Sequence, residues 1–165
     1  MIHIKGDALK VFEDYPESIL FHQVNCKGIM GGGIAKQIKE AYPNHFSDYI
    51  KFTNQYRTTP LLGEYVHTDI DAKNPETSKM IIGLYGQEDI GIHERQTNYA
   101  ALARSLYNCF VEWGSFEFMN QPVFIIPKYI GCGLGGGILP IVEQILLDVE
   151  SVFDVEFTCV EFDQK

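Results

Sequence analysis

Apolar residues along this chain follow two alternating rhythms, one of period two and one of helical period. Met1 to Lys5 alternates as a short strand and breaks at Gly6-Asp7. The stretch from Ala8 to Ser18 is polar and mixed, with Pro16 near its end, and reads as a turn and irregular connection. Ile19 to Val24 is a near-continuous apolar run, the signature of a strand buried on both faces by covering helices. Ile34, Ala35, Ile38, Ala41 and Tyr42 then keep helical spacing until Pro43 stops the helix. Asn44 is placed to cap a second helix with Phe46, Tyr49, Ile50, Thr53 and Tyr56 on its stripe. Residues 63–70 and 78–85 read as strands around a polar turn at 71–77 that contains Asn74-Pro75.

Residues 86–98 fit neither rhythm and read as a loop. Tyr99, Leu102, Ala103, Leu106, Phe110 and Trp113 mark a long helix, and Val123 to Ile126 a short, strongly apolar strand. A last helix follows Ile138, Ile141, Val142, Ile145, Val149 and Val152, with Pro140 in its first turn, where a missing N–H removes no bond. Residues 155–162 alternate as a closing strand. Strands alternating with helices predict an α/β fold of three layers, α/β/α, around a mixed, mostly parallel sheet. No repeat, linker or low-complexity segment divides residues 1–165, so a single domain is expected.

Two glycine clusters interrupt this pattern at equivalent places. Gly31-Gly32-Gly33 lies between the apolar run ending at Val24 and the helix of Ile34. Gly131-Cys132-Gly133-Leu134-Gly135-Gly136-Gly137 lies between the strand ending at Ile126 and the helix of Ile138. Strand, glycine loop and helix in that order present backbone N–H groups to an anion, and glycine lets the backbone approach it closely. If the two strands run parallel, both loops leave the same sheet edge and form two walls of one phosphate-binding cleft. Neither cluster continues as Gly-Lys-Ser/Thr, and GIMGGGIA breaks the GxGxxG register, which argues against a kinase, a GTPase or a standard nicotinamide dehydrogenase.

Composition narrows the partners. A net charge of −9 argues against general nucleic-acid binding, which needs a basic surface, but leaves room for a small anion held by amides. No apolar run approaches the length of a membrane span, and MIHIKGDALK holds no signal-peptide core, so the expected location is cytoplasmic with no membrane contact. The four cysteines, Cys26, Cys109, Cys132 and Cys159, have no metal-ligand spacing and are expected as free thiols. No metal or other cofactor is called for, and a monomer suffices.

His22-x-x-Asn25-Cys26-x-Gly28-x-x-Gly31-Gly32-Gly33-Ile34-Ala35, followed by Gly131-Cys132-Gly133-Leu134 with further glycine, closely resembles the macrodomain family. It is similar in particular to the branch of ADP-ribose-1″-phosphate phosphatases and small single-domain ADP-ribosylglutamate hydrolases. Lys5-Gly6-Asp7 matches that family's opening strand and turn, and the order of elements agrees over nearly the whole chain. The resemblance implies a macrodomain-like fold and ADP-ribose or ADP-ribose-1″-phosphate as ligand. By the same resemblance Asp7 meets the adenine amino group and Asn25 contacts the distal ribose. Gly31, Gly32, Gly33 and Ile34 line the distal ribose and diphosphate, and Gly131, Cys132, Gly133, Leu134, Gly135 and Gly136 wrap the phosphates. Read as bare residues, Asp7 and Asn25 are equally turn residues bonding their own backbone.

Glutamate-directed hydrolases of that branch use a lysine after the fourth strand and an aspartate after the second loop's Gly-Leu. Here those places read Gly83-Leu84-Tyr85-Gly86-Gln87 and Gly135. The resemblance therefore implies hydrolysis of the phosphate of ADP-ribose-1″-phosphate. The alternatives are a non-enzymatic ADP-ribose reader and removal of ADP-ribose from a macromolecule. His22, beside the first loop, is a candidate base near neutral pH or else a core histidine. His93, Glu94 and Arg95 are a solvated cluster or part of a closing loop. Cys26 and Cys132 flank the cleft with nothing to lower a thiol pKa. Lys128 screens ligand charge. Tyr85 and Tyr129 follow apolar strands near the loops and either stack on adenine, border the ribose or pack in the core.

Overall fold

The computed structural model describes residues 1–73, 78–113 and 122–162. In chain order these form β1 (Ile2–Lys5), α1 (Ala8–Asp14), β2 (Ser18–Asn25), α2 (Gly33–Ala41), α3 (Pro43–Gln55), β3 (Tyr65–Asp69), β4 (Lys79–Gln87), α4 (Tyr99–Trp113), β5 (Val123–Pro127), α5 (Leu139–Phe153) and β6 (Phe157–Glu161). The strand order is β1-β6-β5-β2-β4-β3. Every pairing is parallel except β3 with β4. The expected mixed, mostly parallel sheet is therefore the observed one. The Asn74-Pro75 turn lies outside the described residues.

Period-two alternation along β2 divides the core between two helical layers. Ile19 and Phe21 pack with Leu102, Leu106 and Phe110 of α4 and Val142, Leu146 and Val149 of α5. Leu20 faces the other way, onto Ala8, Leu9 and Phe12 of α1 and Ile38 of α2. Val24, further along that second face, meets Tyr49 of α3. Each such fully buried aliphatic or aromatic side chain contributes roughly 1.5–3 kcal/mol.

Two local expectations are corrected. The stretch after Asp7 is a helix, because the Asp7 carboxylate caps it by accepting from the amides of Leu9 (2.8 Å) and Lys10 (3.4 Å), and Ala8, Leu9 and Phe12 give it a buried face. The cap of α3 is Tyr42 rather than Asn44. Pro43 ends α2 and opens α3 at the same time, since a fixed φ and a missing N–H suit the first helical turn.

The C-terminal ends of the parallel strands gather at one edge of the sheet. β2 and β5 are direct neighbours, so both glycine loops emerge side by side, as expected. Val24 pairs with Tyr85 but Asn25 with Gln87, so Gly86 is passed over in a bulge at the mouth of the site.

Candidate functional site

Asn25, at the last position of β2, holds the first loop. Its Oδ1 accepts from the amides of Lys27 (3.0 Å) and Ile29 (3.2 Å), and its Nδ2 donates to the Ile29 carbonyl (2.6 Å). The Tyr49 hydroxyl, reaching up from α3, lies 2.6 Å from the Asn25 carbonyl and 2.9 Å from Oδ1, and accepts from the Ile29 amide at 3.1 Å. The chain is thus turned tightly from β2 into the glycines. Gly33, with φ of +55°, completes the change of direction into α2.

The start of α2 carries no side-chain cap, because glycine stands at the N-cap position. Among the described residues, the amides of Gly32, Gly33, Ile34 and Ala35 find no acceptor. These residues line a cavity of about 540 Å³, with Asn25, Gly31, Gly32, Gly33, Ile34 and Ala35 from the first loop and Gly131, Gly133, Leu134 and Gly135 from the second. The amides of Gly133, Leu134 and Gly135 are likewise unpaired among the described residues. Unpaired amides on two facing loops, with one helix N-terminus behind them, form an anion site of low formal charge. The helix after the second loop contributes less, since α5 begins at Leu139 and neither Leu139 nor Ile138 reaches the cavity.

At the far end lie Asp7, Pro127, Lys128, Tyr129, Val160 and Phe162. One Asp7 oxygen is engaged in capping α1 while the residue also lines the cavity. Lys128 pairs with Glu161 at 3.1 Å, which neutralises its charge. Among the described residues, Asp7 and Lys128 are the charged side chains of the lining.

Several residues singled out in the sequence stand elsewhere. His22 is 0% exposed and points into the core towards α3, its Nε2 2.9 Å from Nε2 of His45. Burial, reinforced by His45, holds its pKa well below the usual histidine range. The parity of β2 decides this, because His22 shares the face of Leu20 and Val24. The expected base is not in the cleft. Tyr85 is 0% exposed, with its hydroxyl 2.8 Å from that of Thr53 and its ring against Tyr49 and Phe52, so it neither stacks on a ligand nor borders one. Cys132 turns towards the α4/α5 core and gives its amide to the Tyr129 carbonyl (2.9 Å). Gly136 gives its amide to Gly133 (3.0 Å) and lies against Arg95, outside the cavity lining. His93 is exposed and Arg95 lies over the ring of Tyr99. Tyr129, in contrast, lines the cleft.

Cys26 is half-buried, and burial pushes its thiol up to about 11. Iodoacetamide at pH 8 is therefore expected to label Cys26 about a hundredfold more slowly than a free thiol of ordinary pKa, as read by mass spectrometry. Labelling at the rate of a free thiol would contradict this.

Gln23 and Gln87 line the cavity although the sequence assigns neither a role. A lone glutamine at a strand end has no periodic or motif signal. Among the described residues, no group of three or more His, Cys, Asp or Glu is arranged to hold a metal ion.

The Macro domain family model matches residues 21–145, a span that includes both glycine loops, the second half of β2 and all of β5. The chain is a macrodomain. A Saccharomyces cerevisiae protein named ADP-ribose 1″-phosphate phosphatase is 31% identical over 118 residues, covering 67% of this macrodomain and 61% of the yeast protein's own length. The solved macrodomain of Mycobacterium tuberculosis DarG superposes with a TM-score of 0.74 at 24% identity, over 99% of this chain and 97% of that one. Thermosipho africanus DarTG, solved in complex with ADP-ribose, gives 0.70 at 15% identity, over 98% of this chain and 41% of that one. No helix among the described residues is long and apolar enough to cross a membrane.

Proposed function

We propose that this macrodomain binds ADP-ribose across the two glycine loops and hydrolyses the phosphate of ADP-ribose-1″-phosphate. The observation that carries the reading is the uncapped start of α2, whose unbonded amides belong to residues that line the same cavity of about 540 Å³ as Gly133, Leu134 and Gly135, whose amides are also unbonded among the described residues. A diphosphate is the ligand such a pair of loops suits, since oriented amides stabilise its charge without a cluster of cations. The name of the yeast relative, and the ADP-ribose in the Thermosipho structure, support this choice of ligand and reaction.

In this arrangement Asn25 orients the distal ribose with its second Nδ2 hydrogen, the first being used on the Ile29 carbonyl. Adenine lies at the end formed by Asp7, Tyr129 and Phe162. The phosphate on the distal ribose is held near the first loop for attack by water. Among the described residues no histidine lines the cleft, so catalysis rests on positioning and on amides aimed at the developing charge. That same absence of a histidine favours a second reading, a non-enzymatic module that binds ADP-ribose in the same cleft.

Calorimetric titration with ADP-ribose is expected to show saturable binding with one ligand per chain. Release of inorganic phosphate from ADP-ribose-1″-phosphate then separates the two readings. Binding with no release above an Asn25→Ala control would establish the reader, and no saturation at millimolar ligand would end both.

A further inference from the structure

The second loop is glycine-rich for a reason apart from the ligand. A side chain at Gly86 would place its Cβ 2.5 Å from the Gln23 Oε1, and one at Gly131 would place it 2.7 Å from the same oxygen. At Gly135 a Cβ would meet the Thr97 hydroxyl and the Gly131 carbonyl, and at Gly137 it would lie 2.7 Å from that carbonyl. The side chains of Gln23 and Thr97 fill the space that these glycines leave open.

Both are tied into one network. Gln23 Nε2 donates to Gln87 Oε1 (2.7 Å) and to Thr97 Oγ1 (2.9 Å). Thr97, 1% exposed, passes its own hydrogen to the Gly131 carbonyl at 2.6 Å. That carbonyl also accepts from the Gly137 amide (2.8 Å), which closes the loop on itself. The amides of Gln96 and Thr97 both donate to the Gly135 carbonyl at 2.9 Å. The orientation of Gln23 is set in turn, because Gln87 Nε2 donates to the Asp89 carbonyl (2.8 Å) and so presents its oxygen to Gln23. Gln23 Oε1 is left buried against Gly86 and Gly131 without a hydrogen-bond partner. Such an atom is costly, and it persists where the surroundings over-determine the side chain.

We propose that Gln23 and Thr97 are positioning residues that hold the second glycine loop in the shape that turns the amides of Gly133, Leu134 and Gly135 to the cleft. Thr97 acts wholly from behind, since it does not line the cavity. The brace stands on its own geometry, and only its effect on ligand affinity rests on the ADP-ribose reading.

The test uses Thr97→Val, Thr97→Ser and Gly86→Ala, with amide hydrogen exchange in the ligand-free protein and ADP-ribose affinity by calorimetry. Thr97→Val removes the hydroxyl at nearly constant volume. Gly86→Ala displaces the end of the Gln23 side chain, which supplies the three atoms nearest that Cβ. Both are expected to speed exchange of the Gly137 amide about tenfold and to weaken ADP-ribose about tenfold, while exchange at Leu20 in β2 stays within about twofold. Thr97→Ser restores both readouts. Wild-type exchange at Gly137 in Thr97→Val and Gly86→Ala would overturn the proposal, as would equal acceleration at Leu20, which reports general loosening. If the unmodified protein fails to bind ADP-ribose, the functional reading falls, and the exchange measurement still decides the brace.

Discussion

Asn25→Ala is expected to lower stability by about 2–4 kcal/mol and to remove measurable ADP-ribose binding. The stability loss comes from the partners left behind. The Lys27 amide and the Ile29 carbonyl lose their hydrogen bonds, the Ile29 amide and the Tyr49 hydroxyl each lose one of their contacts, and Asn25 is only 6% exposed, so water replaces it poorly. The binding loss has two sources, the missing Nδ2 donor and a first loop no longer turned into α2. Asn25→Asp separates them. It keeps the Oδ1 acceptor and loses the donor, so it should bind ADP-ribose poorly while losing less stability than the alanine variant. Urea unfolding and calorimetry on the same preparations check both. An alanine variant as stable as the parent would mean that the turn does not depend on this side chain.

The second large effect is on acid stability. His22 and His45 form a buried pair, with His45 Nδ1 3.0 Å from the Thr68 hydroxyl, which donates to Asp48 (2.7 Å). Burial lowers both histidine pKa values. For His45 the result is about 4, with Asp48 opposing the fall and His67 adding to it. A histidine depressed in the folded state takes up its proton more readily when unfolded. Its contribution to stability is therefore complete above the unfolded value of about 6.5 and is lost as pH falls from there towards 4. His45 should cost about 2 kcal/mol between pH 7 and pH 5, and His22 adds to the loss in the same direction. The urea midpoint is expected to be level above pH 7 and to drop steeply below 6.5. His22→Gln with His45→Gln should flatten the drop. Equal midpoints at pH 7 and pH 5 would mean that the pair is not neutral in the folded protein.

The same two residues show what could be read from the chain without its fold. The apolar run of β2, the helical stripes of α2, α4 and α5, and the placing of glycines between them were legible, because period and punctuation are local. From these followed the meeting of the two loops at one sheet edge, on the condition that their strands run parallel; the direct pairing of β2 with β5 is seen only in the fold. The side taken by His22 was not legible from the glycine motif beside it. It follows from strand parity, since a residue between Phe21 and Gln23 shares the face of Leu20, which packs on α1 and α2. Tyr85 fails in the same way, as a residue near the strand end in sequence whose ring is enclosed by α3.

The α1 helix was missed although Asp7 with Leu9 and Phe12 gave both a cap and an apolar face. Seven residues offer too short a window for a period to stand out. Gln23, Gln87 and Thr97 carried no signal at all, because their importance lies in contacts across 64 and 74 residues of chain. In the sequence the glycines of the second loop present only a ligand motif. Their packing against Gln23 and Thr97 could be seen only once those side chains had positions.

The central claim is that free backbone amides on two loops hold the diphosphate of ADP-ribose. A titration of isotope-labelled protein with ADP-ribose, followed residue by residue in amide spectra, addresses it directly. Large, saturable shifts are expected at Gly32, Gly33, Ile34, Ala35, Gly133, Leu134 and Gly135, with small ones at His22 and Tyr85. Saturable shifts confined to residues outside both loops, or none at all, would contradict it.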